Sequence, residues 1–162
     1  MKKTLKLSAL VLSLIMPFLF CSCNISLGQQ ENLSLVEEIV AEIQKECELP
    51  EMTEVSEHQL AQFYAIDKTD VANFSAFVSA DSMTKDEIIL IEAFTESEAN
   101  AIRDRLTTHH ENLLEESKEF LPDEYEMISN CKVVKDGIYI RLFISNDIDK
   151  MEEIYNSHMQ SN

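Results

Sequence analysis

Two glycines in 162 residues leave no place for glycine-dependent chemistry. A phosphate-cradling loop or a dinucleotide fingerprint needs several glycines within a few positions, and Gly28 and Gly137 stand far apart; no Gly-x-Ser-x-Gly is present either. Tryptophan is absent, which weighs mildly against carbohydrate stacking. Basic residues are scarce: 13 Lys and Arg face 30 Asp and Glu, for a net charge of −17. Because nucleic-acid binding rests on cations that neutralise phosphates, nucleic acid is not an expected partner. Basic peptides and divalent cations remain electrostatically permitted. The acidic stretch 81–86 does not follow the calcium-loop pattern, which alternates Asp/Asn around a central Gly.

What the chain does have begins at its start. Lys2, Lys3 and Lys6 precede an apolar run interrupted by Ser8, Ser13 and Pro17, the layout of a signal peptide. The run is shorter than the ~20 apolar residues of a membrane-spanning helix, so spanning is the weaker reading. It ends in Leu19-Phe20-Cys21-Ser22-Cys23, which resembles a bacterial lipobox. In such signals a small residue precedes the cysteine that receives a diacylglyceryl group. Ser22 before Cys23 fits; Phe20 before Cys21 does not. The expectation is therefore a signal over 1–22, lipidation of Cys23, a short linker to 32 and one domain over 33–160. The competing expectation is an ordinary secretory signal cut near Ser22 or Cys23. Three of the 13 basic residues and none of the acidic ones lie in the signal, so 24–162 carries ten against thirty, a charge of −20.

Along the domain, Ser34 with Glu37, Ser56 with Gln59 and Thr95 with Glu98 form capping-box patterns, each followed by helical periodicity. The first predicted helix runs to about Glu48, the second is short, and the third runs to about Leu121, where Pro122 ends it. Between the second and third, alternation from Val71 to Ala80 predicts a half-buried strand. The unbroken Ile88-Ile89-Leu90-Ile91 predicts a more central one. A helical turn over 124–129 and a hairpin across Asp136-Gly137 follow, then a last helix capped by Asn146. The order αα-ββ-α-ββ-α predicts an α+β fold with helices on a four-stranded antiparallel sheet.

Within this frame Phe77, Tyr139, Arg141 and Phe143 share one sheet face with Asn73, Ser75 and Ser79. If uncovered, that face is a binding platform rich in interface residues. If the two N-terminal helices lie over it, the aromatics are core. His109 and His110 project about 100° apart on a helix, and neither has a ligand at i+4. His109 lies on the apolar stripe and reads as a hydrogen-bonded residue at the core edge; His58 has no visible partner. Glu111, Glu115 and Glu119 form a like-charge row that reads as a solvated face, with cation or basic-peptide attraction as the alternative. Cys47 and Cys131 are the only cysteines past the lipobox; a disulfide between them is open, provided the first helix lies over the third strand. No metal, no cofactor and no catalytic set is expected.

Leu49-Pro50-Glu51-Met52, Tyr64-Ala65-Ile66-Asp67, Val78-Ser79-Ala80, Asp86-Glu87-Ile88, Phe120-Leu121-Pro122 and Gly137-Ile138-Tyr139 are turn and packing motifs. With the lipobox they make the chain resemble small Gram-positive bacterial lipoproteins grouped as domain of unknown function 4358, from about Leu33 to Met159. Ala65 occupies a turn position where glycine is expected. The resemblance implies location and architecture and supplies no catalytic residues. The functional expectation is a non-catalytic domain, lipid-anchored to the outer face of a bacterial cytoplasmic membrane, that contacts an unknown protein or peptide. The alternatives are a small-ligand-binding lipoprotein, marked by a covered cavity, and a hydrolase, marked by a Cys or His hydrogen-bonded to a carboxylate in a cleft.

Overall fold

A computed structural model describes residues 33–161; the signal, the lipobox and Cys23 lie outside the described residues. In chain order the elements are α1 (Leu35–Glu46), β1 (Met52–Glu54), α2 (Glu57–Tyr64), β2 (Val71–Ser79), β3 (Glu87–Ala93), α3 (Glu96–Phe120), α4 (Pro122–Asn130), β4 (Val133–Asp136), β5 (Tyr139–Ile144) and α5 (Ile148–Ser161). The strands form one antiparallel sheet in the order β1-β2-β3-β5-β4. The α+β class holds, but the sheet has five strands, not four. The extra strand β1 pairs Met52 with Ser79 and Glu54 with Phe77. Three residues beside Pro50 are too few to show alternation, and an edge strand gains its conformation from its neighbour rather than its own pattern.

Helix starts follow the capping patterns. Ser34 and Ser56 each accept a hydrogen bond from the backbone N–H three residues on, and Glu37 and Gln59 accept from the cap N–H in return. Thr95 accepts from the Glu98 N–H at 3.3 Å, and only that half of its box forms. Pro122 ends α3 and opens α4 at once, because its missing N–H costs nothing at a helix start. At α5 it is Asp147 rather than Asn146 that makes the polar contacts: its carbonyl accepts from the Met151 N–H, and its carboxylate accepts from the Glu48 N–H at 2.7 Å. Gly137 turns the β4–β5 hairpin at φ +57, a conformation only glycine adopts without strain.

Helices cover both faces of the sheet. On one face α2, α3 and α4 pack Leu60, Ile102, Leu106 and Ile128 against Ile89, Ile91, Ile140 and Leu142. On the other, α1 and α5 pack Val36, Ile39, Ile43 and Tyr155 against Ile88, Leu90 and Phe143. The central strand β3 is thus buried from both sides, as its unbroken apolar run requires. Across the outer layer His158 bonds Glu42 at 2.7 Å and the Lys150 ammonium donates to the Glu46 carbonyl, tying α5 to α1. Cys47 and Cys131 fall in different clusters on opposite faces, and both are free thiols. Among the described residues no helix is long and apolar enough to cross a membrane.

Candidate functional site

The face carrying Phe77, Tyr139, Arg141 and Phe143 is closed. Phe143 is 1% exposed and packs edge-on against Tyr155, with ring centroids 6.5 Å apart. Arg141, 7% exposed, lays its guanidinium 3.9 Å above the Tyr155 ring and donates from Nε to both Glu152 carboxylate oxygens at 3.1 Å. Phe77 and Tyr139 are half-buried, and Tyr139 donates to Glu92 at 3.3 Å. Of the two alternatives for this face, the covered one holds: Arg141 and Phe143 are core, and Phe77 and Tyr139 are partly buried. The helices over it are the first and the last, α1 and α5, rather than the two N-terminal ones. The reason is the apolar stripe Met151, Ile154 and Tyr155 on α5, which has only this face to cover. Arg141 and Glu152 also border a cleft of about 390 Å³ at the β4 edge, beside Cys131. There the thiol donates to the Met127 carbonyl at 3.2 Å, and burial raises its pKa, which disfavours the reactive thiolate.

The cleft with the most varied chemistry opens on the other side of the sheet. The end of α2, the 79–86 turn between β2 and β3, and the middle of α3 enclose about 340 Å³. Tyr64 closes α2, and the chain then turns through Ala65 in the left-handed region at φ 55, so an alanine does hold the position where glycine is expected. Within α2, Phe63 stands on the rim, 55% exposed, and Tyr64 in the wall, 4% exposed. Across from Tyr64, His109 stacks edge-on at 4.6 Å between ring centroids. Its Nε2 meets the Glu87 carboxylate at 2.9 and 3.2 Å. Glu87 is the first residue of β3 and is buried. Burial, reinforced by the Glu87 charge, pushes the Tyr64 phenol far above its ordinary value of 10.0, so it stays protonated. Asp86 beside it is buried as well. Desolvation raises its carboxyl above 3.8, opposed by a hydrogen bond from Ser145.

The turn itself is held from several sides. The Ser79 and Thr84 hydroxyls bond each other, Asp81 accepts from the Met83 N–H at 2.9 Å, and the Lys85 N–H donates to Glu124 at 3.0 Å. The Lys85 ammonium reaches Glu116 on α3 at 3.4 Å. A second hollow of about 230 Å³ adjoins the first, sharing Phe63, Tyr64 and His109 and continuing past Arg105, Thr108 and Asn112. Arg105 is paired with Asp70 at 3.2 Å.

His109 thus sits where its place on the apolar stripe put it, half-buried and hydrogen-bonded. His110 turns away and bonds the Ile128 carbonyl at 3.0 Å, so the adjacent rings serve different contacts. His58 and the Glu111, Glu115 and Glu119 row are exposed. Among the described residues no group of three or more His, Cys, Asp or Glu could hold a metal ion. Sequence reasoning missed Phe63, Tyr64 and Glu87 as site residues. The last is the opening residue of a buried strand, a position where a carboxylate needs a partner, and that was the one signal available.

Fold and cleft together define a class: a small α+β domain with helices on both sheet faces and one mixed apolar and acidic cleft against α3. The chain belongs to the family described as Domain of unknown function (DUF4358), whose model matches residues 45–145. That span is shorter than the Leu33 to Met159 expected and leaves out α5 and most of α1, yet it holds every residue of the cleft. Neither the curated proteins nor the solved structures gave a match.

Proposed function

We propose that this protein is an extracytoplasmic lipoprotein, held at the membrane by acylated Cys23, whose domain docks a protein or peptide partner in the α2/α3 cleft. The observation that carries the docking reading is Phe63. It is a large aromatic, more than half exposed, on the rim of a cleft walled by Tyr64 and Leu113 and edged by Asp81 and Glu116. An exposed aromatic beside a concave, partly apolar surface is the usual form of an interface anchor. The anchoring reading rests on Ser22-Cys23 and on two acyl chains, which hold durably where one holds marginally.

Palmitate labelling tests the anchor: the parent chain is expected to label, and the Cys23→Ala variant to lose the label and leave the membrane fraction. Chemical cross-linking in whole cells, read by mass spectrometry, tests the docking. A partner captured by the parent and lost in Phe63→Ala supports it; a partner profile indifferent to Phe63→Ala refutes it.

The His109–Glu87 pair favours a second reading, because a carboxylate-oriented imidazole in a cleft is the mark named above for a hydrolase. The nearby hydroxyls of Ser79 and Thr84 are engaged with each other, and no nucleophile is hydrogen-bonded to the ring among the described residues.

A further inference from the structure

The two adjoining hollows share a floor. Arg105, Thr108, His109, Asn112, Leu113 and Glu116 line them in turn, and these positions recur at the spacing of a single face of α3. Phe63, Tyr64 and His109 line both hollows, so they join end to end as one trough along the helix. From Arg105 to Glu116 the floor extends about 16 Å at 1.5 Å per residue. That length matches about five residues of extended chain at ~3.3 Å each.

The trough is not uniform in charge. At one end Arg105 is neutralised by Asp70. At the other, Asp81, Asp86, Glu87 and Glu116 face one lysine, Lys85, and one histidine, His109. Where the two hollows meet, Phe63 and Tyr64 line both, with Leu113 in the first, and together they make an apolar waist.

Resting on the docking reading above, the geometry points to a specific occupant: an extended, lysine- or arginine-bearing peptide segment of about five residues. An apolar side chain of this segment lies against Phe63, and a cationic one lies between Asp81 and Glu116. Charge complementarity selects it. An acidic segment would meet carboxylates that outnumber Lys85, their one lysine, and a wholly apolar one would desolvate Asp81 and Glu116 without adding a cation. Because the acidic end is solvated at its rim, each of its charges acts only at contact range, and the waist supplies the apolar part of the affinity.

The test measures fluorescence anisotropy of fluorescein-labelled Lys-Leu-Lys-Leu-Lys, with Glu-Leu-Glu-Leu-Glu as counterpart, against the full lipidated chain in neutral detergent. A domain this acidic attracts any polycation weakly, so the decisive comparison is between charge-matched variants. Neutralising the trough with Asp81→Asn and Glu116→Gln is expected to weaken the Lys-Leu peptide roughly tenfold, and Phe63→Ala roughly fivefold. Neutralising the exposed row with Glu115→Gln and Glu119→Gln removes the same charge from the same part of the molecule. It is expected to change affinity less than about twofold. All these positions are on the surface, and circular dichroism of each variant verifies that the fold is retained.

Equal weakening by both charge pairs, equal binding of the two peptides, or no binding of Lys-Leu-Lys-Leu-Lys would each overturn the inference. These failures are separable from failure of the docking reading itself. If whole-cell cross-linking still yields a Phe63-dependent partner, docking stands and only the cationic extended occupant falls.

Discussion

Replacing Glu152 by Gln leaves the Arg141 guanidinium in its slot with a neutral partner, and the cost of that change measures how thoroughly α5 closes the sheet. The Arg141 side chain is 9% exposed and that of Glu152 29%. Removing one member of a buried ion pair costs about 3–5 kcal/mol; the partial exposure of Glu152 lets water compensate and lowers this to about 2–3 kcal/mol. For a domain of this size that is a melting-temperature loss of about 6–9 °C. Arg141→Met should do less harm, about 1 kcal/mol, because a thioether fills the same space over Tyr155 and forfeits only the cation–π contact along with the charge. The double variant should then resemble Arg141→Met alone, since the amide introduced by Glu152→Gln no longer faces a stranded cation. Thermal and urea unfolding of the parent, both single variants and the double variant give the full cycle. If Glu152→Gln unfolds within about 0.5 kcal/mol of the parent, water reaches Arg141 freely and the sheet face is not closed.

Three further outcomes follow from the same structure. Ala65 sits at φ 55 after α2, where a Cβ is strained by about 1–2 kcal/mol; Ala65→Gly should therefore raise stability by about 1 kcal/mol once the added freedom of the unfolded chain is subtracted. A lower urea midpoint would contradict this. Burial holds the Asp86 carboxyl above its ordinary 3.8, so the folded chain binds that proton more tightly than the unfolded one. Ionising it costs stability as pH rises from 3.8 through the raised value, and the cost is fully present at neutral pH. Asp86→Asn is expected to exceed the parent in stability at pH 7 and to lose that advantage below pH 3.8; an advantage that is the same at both pH values would refute the assignment. Phe143→Ala, removing a ring that is 1% exposed, should cost about 3–5 kcal/mol in urea unfolding, and a cost under about 1 kcal/mol would show the ring unpacked.

The sequence carried its helices and most of its strands openly, because amphipathic periodicity and capping pairs are local signals. Ser34 with Glu37 and Ser56 with Gln59 close as full boxes, and Asp136-Gly137 turns a hairpin. Ile88 to Ile91 takes the central place that an unbroken apolar run implies. What stayed hidden was set at long range. Strand β1 exists because the end of β2 offers an edge to Met52–Glu54, and nothing in those three residues announces it. The covering of the second face depends on whether α2 or α5 docks there. Both are amphipathic, and the choice lies in Phe143 of β5 meeting Tyr155 of α5 on this face. The cleft was half legible. His109 could be placed at the core edge from its helical phase, but its partner Glu87 lies 22 residues away on another element, and only the fold brings them to 2.9 Å. Phe63 looked like one more apolar position in a short helix; it is exposed because α2 buries Leu60 and Tyr64 instead.

The central claim is that the α2/α3 cleft, and not the sheet face, meets the partner. A photo-crosslinking amino acid at position 63, compared in living cells with the same group at position 94, tests it most directly, because both sites are exposed phenylalanines and only the first borders the cleft. The expected result is an adduct from position 63 that maps to a basic segment of another protein, and none of that adduct from position 94. The same adduct from both positions, or from neither, would contradict it.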